Sequence, residues 1–508
     1  MVQAGALAAV HGLPGSARSQ AEAVVGSELT LEEDLSAPRI PLTYVGLSYE
    51  LAQLSDPAFF SASNGDLVAY FRLLSGQGVL RLGGNTSEFC WFRASASTPV
   101  PRLHVPKNPG ENWMPHQLFA ITPEAIDALA GFLKATGWRL IYGLNFGNST
   151  PERAAEEAAY VARTIGDRLE FFQIGNEPDL YQKATNGTRP PGWGFDDYVK
   201  EWTGFADAVL AHVPGARFGG PDVAASSDWV VRFAEKVSLP MGRRVVALTG
   251  HYYAEGPPND PAVTIGRLLA PNAKIGADIR RIEAAAGPGG PRYRMTEGNS
   301  CYRGGKPGMS DAFASSLWAA DYMLDLAAAG CAGVNLHGGS SAFLTAGLGG
   351  HTPGMEVARG PQQVHSGFYS PIRSEPGIDA RAMPIFYGMM FAGQLAGRRV
   401  VRTHYDLRGA NATVYAARLE RGLVVAVVNK DESKAAELNV RVPANVAKAS
   451  IWTLQGPRLD ATEGVTLAGA EITPHARWSP REHSEVPIQG GKARVRVPSA
   501  SAALLFLN

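Results

Sequence analysis

The chain reads as an α/β protein, a (β/α)8 TIM barrel with an accompanying antiparallel β-sandwich domain. Three observations predict this. From residue 41 onward, short apolar runs alternate with helix-like runs, and the strand candidates number eight. After about residue 396 the texture changes to short strand-like runs such as GLVVAVVN and ARVRVP, separated by polar turns. Function-bearing residues end several different strand runs, and no Gly-rich phosphate loop follows the first strand. That favours a barrel over a doubly wound open sheet.

The strand candidates, in order, are Tyr44–Leu51, Val79–Asn85, Arg139–Asn145, Leu169–Asn176, Arg217–Asp222, Val245–Tyr252, Arg292–Glu297 and Gly333–His337. Each is short and rich in Val, Ile, Leu, Phe or Tyr, as strands covered on both faces must be. Between them, Thr122-Pro123 and Thr150-Pro151 look like N-cap threonines followed by first-turn prolines. Asp311–Ala329 has the apolar recurrence of a buried helix. The catalytic barrel is expected over 41–395 and the sandwich over 396–508, joined by a strand from within 1–40. The segment Ser340–His365, glycine-rich and without period, reads as a long loop after the eighth strand, where barrels border their active sites.

Lys plus Arg and Asp plus Glu are 47 each, so nothing global calls for nucleic acid or an anionic membrane as partner. No apolar run approaches the ~18 residues of a membrane span. The first twenty residues lack a basic n-region and make a poor signal peptide. Cys90, Cys301 and Cys331 are odd in number and show no metal-type spacing, which argues against a disulfide framework and leaves room for one bridge. The histidines form no H-E-x-x-H or comparable set, and neither metal nor cofactor is expected.

Two segments bring carboxylates to strand ends. In FFQIGNEPDLY, Phe171–Tyr181, a buried strand runs into Asn176-Glu177-Pro178, and Pro178, lacking an N–H, is expected to stop the ladder there. In RYRMTEGNSCYRGGKPG, Arg292–Gly308, a short strand ends in Glu297 before a Gly-rich loop. N-E-P alone is common by chance, and T-E-G more so. Both glutamates ending the fourth and seventh strands of eight is a different matter. Glycosidic cleavage needs two carboxyl groups flanking the bond, ~5–5.5 Å apart in retaining enzymes. Strands four and seven face each other across a small barrel mouth.

With N-E-P at strand four and Glu at strand seven, the chain resembles the large clan of retaining barrel glycosidases. Within it the chain resembles the β-glucuronidase and heparanase family, glycoside hydrolase family seventy-nine. The resemblance covers Tyr44 to Leu395 and, more weakly, the sandwich. It implies Glu177 as acid/base, Glu297 as nucleophile and Asn176 as a partner of the sugar 2-hydroxyl. VGLSYEL, Val45–Leu51, would put Glu50 near the sugar hydroxyls, with an ion pair to Arg81 as the plainer alternative. RLGGNTSEF, Arg81–Phe89, matches the family's R-x-G-G pattern and places Asn85 toward substrate. Gly143-Leu144-Asn145 matches the third strand and implies Asn145 as a binding residue. TGHYY, Thr249–Tyr253, matches the sixth, where a Tyr hydrogen-bonds the nucleophile; Tyr253 is favoured and Tyr252 is the alternative. His337, ending strand eight, either lines the pocket or is a hydrogen-bonded core histidine. Such enzymes are usually exported, so a secreted or periplasmic location after leader removal is favoured over a cytoplasmic one.

The loop Tyr302-Arg303-Gly304-Gly305-Lys306 suits a carboxylate ligand: glycines let backbone N–H groups converge on an anion, and a Tyr hydroxyl adds a donor. The resemblance assigns Tyr302, Gly304 and Gly305 to the C6 carboxylate of a uronic acid. It also points to Tyr369 in Gly367–Pro371. A flexible Gly hinge is the alternative. Arg303, Lys306 and Arg373 offer a small basic patch. The Gln that heparan-cleaving members carry soon after G-P-D is absent after Asp222, and the 340–366 loop is placed to close the cleft into a pocket. The expected function is therefore retaining β-glucuronidase action on a terminal residue of a glucuronide or uronic-acid-containing glycan. The alternatives are a heparanase-like endo-β-glucuronidase, a neutral-sugar β-glycosidase and an inactive carbohydrate-binding protein.

Overall fold

The computed structural model describes residues 22–508 apart from 106–113, 184–187, 351–354, 356, 360–361, 365, 376–377, 419–421, 444–445 and 482–483. The N-terminal stretch read for a leader lies outside the described residues.

Eight parallel strands close into a barrel in chain order: Val45–Glu50, Val79–Gly83, Arg139–Leu144, Leu169–Ile174, Phe218–Val223, Val245–Glu255, Arg292–Cys301 and Gly333–Gly338. Each falls on an expected strand. The differences lie at the C-terminal ends. The sixth and seventh strands run on to Glu255 and Cys301, so Tyr253 and Glu297 sit within the ladder, with a register shift between Met295 and Glu297. The fourth strand stops at Ile174: Gly175 has φ 89° and Glu177 φ 53°, so the chain leaves the ladder before Pro178 can end it. The structure thus corrects the role given to that proline.

Thr122 and Thr150 cap their helices as expected, each hydroxyl accepting from the N–H three residues on, with proline in the first turn. The helix Phe313–Ala328 is buried on nearly every side because the barrel covers one face and the C-terminal sheet the other. The segment after the eighth strand is not a plain loop. It holds a helix, Ser341–Gly347, and a ribbon pairing Val357–Arg359 with Gln362–Val364. Two helical turns are too short to show a 3.6-residue period among so many glycines.

Among the described residues, ten C-terminal strands and one from before the barrel form an eleven-stranded sheet that curls on itself. One layer of side chains, including Leu29, Val425, Leu438, Val495 and Leu505, packs inside the curl. The alternate layer, including Val424, Ala426 and Leu504, packs against the barrel's helices. The strand Ala23–Glu32 inserts into this sheet. It is antiparallel to Arg399–His404 but parallel to Lys434–Arg441, so the sheet is not antiparallel throughout. A strand arriving from before the barrel is not joined by a hairpin, and nothing forces it antiparallel. At the seam between barrel and sheet, Asp321 pairs with buried Lys430 at 2.5 Å and accepts hydrogen bonds from Thr413 and Tyr415. All three cysteines are free and buried. Among the described residues no helix is long and apolar enough to cross a membrane.

Candidate active site

The C-terminal mouth of the barrel is organised around Arg81, a guanidinium only 1% exposed. Nη1 donates to Glu297 Oε2 at 2.6 Å; Nη2 donates to Asp222 Oδ2 at 2.6 Å and Asn176 Oδ1 at 2.8 Å; Nε donates to Gln173. Five N–H groups in a fixed fork suit such a crossroads. The R-x-G-G pattern now has a physical reason. A Cβ at Gly83 would lie 2.3 Å from the Arg81 guanidinium carbon, and one at Gly84, where φ is 69°, would lie 2.5 Å from the Glu50 carboxyl. Any other residue would displace one of the two side chains. The plainer reading of Glu50 as the ion-pair partner of Arg81 does not hold. Its carboxylate instead accepts from the Thr86 N–H and hydroxyl.

Glu177 and Glu297 face each other across this mouth. Together with His251, each presents an atom within 4.8 Å of the other two. Their protonation is driven in opposite directions. Burial pushes the Glu177 carboxyl up, and the His251 hydrogen bond, 2.9 Å from Nδ1 to Oε1, only partly offsets it. Burial alone would raise Glu297 too, but His337, His251 and Arg81 outweigh it and hold this carboxyl down at about 2. The Tyr253 hydroxyl donates to Glu297 Oε1 at 2.8 Å. Tyr252 instead turns away and accepts from Asn272, which decides between the two tyrosines. Burial disfavours a charged His251, yet Asp222, 3.2 Å from its Nε2, and Glu297 raise it to about 10. Asp222 is itself held well below the usual carboxylate range, because Arg81 and His251 overcome its burial. Two carboxyls pushed in opposite directions around a histidine suit proton transfer.

Glu50, Asn85, Glu177, Tyr253, Glu297 and His337 line one cavity of about 540 Å³, and Tyr302 and Tyr369 complete that wall. His337 bonds Ser48 through Nδ1 and lies 3.6 Å from Glu297, so it is both anchored and pocket-lining. Asn299 fixes it and Tyr369 by donating to both backbone carbonyls. Asn85 donates to the Gly347 carbonyl, which ties the helix Ser341–Gly347 over the mouth, with Leu344 and Leu348 on the cavity wall.

Four expected binding residues are not among those lining the cavity. Asn145 donates to the carbonyls of Glu88 and Cys90 and accepts from the Asn148 N–H; its amide shapes the loop, and a substrate role is not supported. Asn176 sits one layer down, donating to Asn85 and accepting from Arg81. Gly304 and Gly305, at φ 85° and 86°, pack against Ser366 and the Tyr369 backbone, where a Cβ would come within 2.1 and 2.7 Å. Glycine is required there by packing, and it is Tyr302 and Arg303 that reach the cavity. Lys306 leaves the basic patch: its Nζ donates to the carbonyls of Asp260 and Val263.

Sequence reading passed over His251, Asp222 and Glu88. His251 stands inside TGHYY and Asp222 inside G-P-D, each near the C-terminal end of an expected strand, a position that could have flagged them. Glu88 is fully buried and accepts from the N–H groups of Asn176, Phe146 and Gly147 and from the Tyr181 hydroxyl. It fastens the Asn176-Glu177 turn to the neighbouring loops. Glu177, Asp222 and Arg303 are three of the described non-glycine residues with positive φ, a backbone state that tends to collect at functional sites.

No family model matches the chain. A β-glucuronidase of Aspergillus niger is 25% identical over 348 residues, 62% of this chain and 62% of its own length. One of Neurospora crassa is 26% identical over 348 residues, 61% of this chain and 59% of its own. The chain thus matches about three-fifths of the length of these curated relatives. Among solved structures, a 4-O-α-L-rhamnosyl-β-D-glucuronidase from Fusarium oxysporum 12S superposes with TM-score 0.69 at 16% identity, covering 95% of this chain and 100% of its own. An arabinofuranosidase from Xanthomonas axonopodis pv. citri gives TM-score 0.63 at 15% identity, again over 95% and 100%. The structures share the fold, and the likeness to β-glucuronidases drawn from the motifs holds in the sequence relatives.

Proposed function

We propose that this chain is a glycoside hydrolase, a retaining β-glucuronidase that releases terminal β-linked glucuronate by double displacement. One observation carries the reading: two glutamate oxygens within 4.8 Å of each other, with burial pushing the Glu177 carboxyl up while the charges around Glu297 hold its carboxyl down. That closeness suits the ~5–5.5 Å spacing of retaining enzymes better than the ~6.5–9.5 Å of inverting ones.

In the first step Glu297 attacks the anomeric carbon while Glu177 gives its proton to the leaving oxygen. Arg81 and Tyr253 hold the nucleophile in line. When the sugar ester forms, the Glu297 charge disappears and Glu177, now ionised beside His251, is stabilised as a base. It takes a proton from water as the water oxygen attacks the anomeric carbon, the bond from that carbon to Glu297 breaks, and the first state returns. Tyr302 and Arg303 at the rim supply a hydroxyl and a guanidinium for the C6 carboxylate. The helix Ser341–Gly347 closes one end of the mouth, which favours a pocket for one terminal sugar over the open cleft of an endo enzyme.

The test is hydrolysis of 4-nitrophenyl β-D-glucuronide beside the matching glucoside and xyloside, with Glu297→Gln as the blank. Release from the glucuronide alone, lost in the variant, is expected. Turnover of only a neutral sugar would move the reading to a neutral-sugar glycosidase. Release of shorter oligomers from a uronate-containing polymer, with no monosaccharide, would move it to an endo enzyme.

A further inference from the structure

The helix Ser341–Gly347 makes a wall of the mouth with no slack in it. The Glu50 carboxyl is sandwiched between two glycines. A Cβ at Gly347, the last residue of the helix, would lie 2.6 Å from Glu50 Oε1, and one at Gly84 would lie 2.5 Å from the carboxyl carbon. The helix backbone therefore rests on Glu50 with no room for one added carbon between them. Leu344, on the cavity wall, is 2% exposed. Ties at both ends hold the helix down. Asn85 donates to the Gly347 carbonyl at 3.1 Å, the Ser341 N–H donates to the Glu375 carboxylate at 2.9 Å, and the Ser340 hydroxyl donates to Gln53 Oε1 at 3.2 Å. Just past the helix, a Cβ at Gly349 would lie 2.3 Å from the Met114 carbonyl oxygen. The wall is fixed to the barrel mouth and closed at contact distance.

Its place around the barrel says which part of a sugar meets it. The eight strands close in chain order, so strand four, which leads into Glu177, stands across the mouth from strand eight. The helix begins three residues after strand eight ends at Gly338. In the chair of a β-glucuronide the C1–O and C4–O bonds are both equatorial and point in opposite directions along the ring. With the glycosidic oxygen at Glu177, O4 is aimed away from strand four and toward the helix. Distortion at C1 on the way to the transition state tilts the glycosidic bond and leaves O4 at the far end of the ring. C6 lies beside C4, and Tyr302 and Arg303, from the loop after strand seven, reach the cavity on that flank.

We propose that this wall admits only glucuronate with a free O4, so that a methyl, sulfate or glycosyl group on that oxygen excludes the substrate. The proposal rests on the glucuronidase reading above and narrows it from terminal residues to uncapped ones. Two effects act together. A substituent on O4 has to enter space already filled by Gly347, Leu344 and Glu50, and forcing even one carbon into a packed site weakens the fit about 10–100-fold. Glu50 is the acidic group at this wall. Its carboxylate accepts hydrogen bonds, and an ether oxygen at C4 has no proton to give it. A site built to pair with a substrate hydroxyl discriminates strongly against an analogue that lacks it.

The experiment compares 4-nitrophenyl β-D-glucuronide with its 4-O-methyl ether, which share a leaving group and differ by one carbon at O4. The ether is expected to be at least about 100-fold poorer in kcat/KM. Leu344→Ala shortens the wall, and the ratio between the two substrates should narrow at least about fivefold. That ratio is read within one preparation, so any loss of folded protein cancels. Calorimetry reads the same wall without turnover: glucuronic acid should bind at least about tenfold more tightly than 4-O-methylglucuronic acid. The corresponding pair of 4-nitrophenyl β-D-glucosides, free and methylated at O4, separates this proposal from the reading beneath it. Discrimination within the glucoside pair, with neither glucuronide turned over, would sink the glucuronidase reading and leave the closed wall standing. Similar kcat/KM for ether and free hydroxyl, equal binding of the two acids, or a ratio unmoved by Leu344→Ala would overturn the proposal.

Discussion

The buried charges at the seam and those at the mouth are built on different rules. At the seam, Asp321 is met by Lys430, Thr413 and Tyr415, so one carboxylate is matched by protein on every side that counts. At the mouth, Glu177, Glu297, His251, Asp222 and Arg81 share too few partners among too many charges, and two of the carboxyls keep an edge on an open cavity. The first arrangement fixes two folded units together. The second leaves protons unequally divided, with Glu177 pushed up and Glu297 pulled down. Buried charge becomes chemistry where the protein leaves one side for something else to complete.

The sharpest way to break the comparison is Glu177→Gln. At the mouth it should lower kcat about 10²–10⁴-fold on a poor leaving group, and less on 4-nitrophenol, which leaves without a proton; steady-state rates on both substrates check this. Tm should change little. Asp321→Ala should do the reverse. It strands the Lys430 ammonium, 5% exposed, at a cost of about 3–5 kcal/mol in denaturant unfolding, with kcat/KM of the folded enzyme unchanged. Tyr253→Phe removes one charge-assisted hydrogen bond of ~1.5–3 kcal/mol from the nucleophile, so kcat/KM should fall about 10–100-fold with little loss of Tm.

Acidity provides a gentler probe. Activity needs Glu297 ionised and Glu177 protonated. The acid limb of the pH–rate profile should therefore lie near 2, set by Glu297, and the alkaline limb above the ordinary carboxylate range, set by Glu177. Stability follows His251. A histidine raised to about 10 on folding, from ~6.5 unfolded, stabilises fully below the lower value and loses that contribution as pH rises through the upper one. Tm should fall between those limits, and less steeply in His251→Gln; a slope unchanged by the substitution would deny His251 its charge.

How much of this was legible in the sequence depended on range. Strands of the barrel announce themselves locally, by apolar runs bounded by turns, and all eight fell where expected. Glu177 and Glu297 were legible because each ends such a run. Partnerships were not legible. Glu88 holds the Asn176-Glu177 turn from a different strand's loop, and nothing in its own neighbourhood says so. Asn145 stood at a strand end like the others, yet its amide closes a loop. Gly304 and Gly305 looked like an anion cradle, while the contacts that require glycine come from Ser366 and Tyr369, far along the chain. Strand position is a local property, and what a side chain touches is not.

The strand Ala23–Glu32 has a consequence for how the molecule is made. It leaves the ribosome before any barrel strand, yet both of its sheet neighbours, Arg399–His404 and Lys434–Arg441, emerge only after the whole barrel. Until then its paired edge has no mate. The C-terminal sheet cannot close during synthesis, and the barrel is tethered at both ends to one late event. A chain cut between barrel and sheet would carry that strand with the wrong half, so the two parts are not separable modules even though each has its own core.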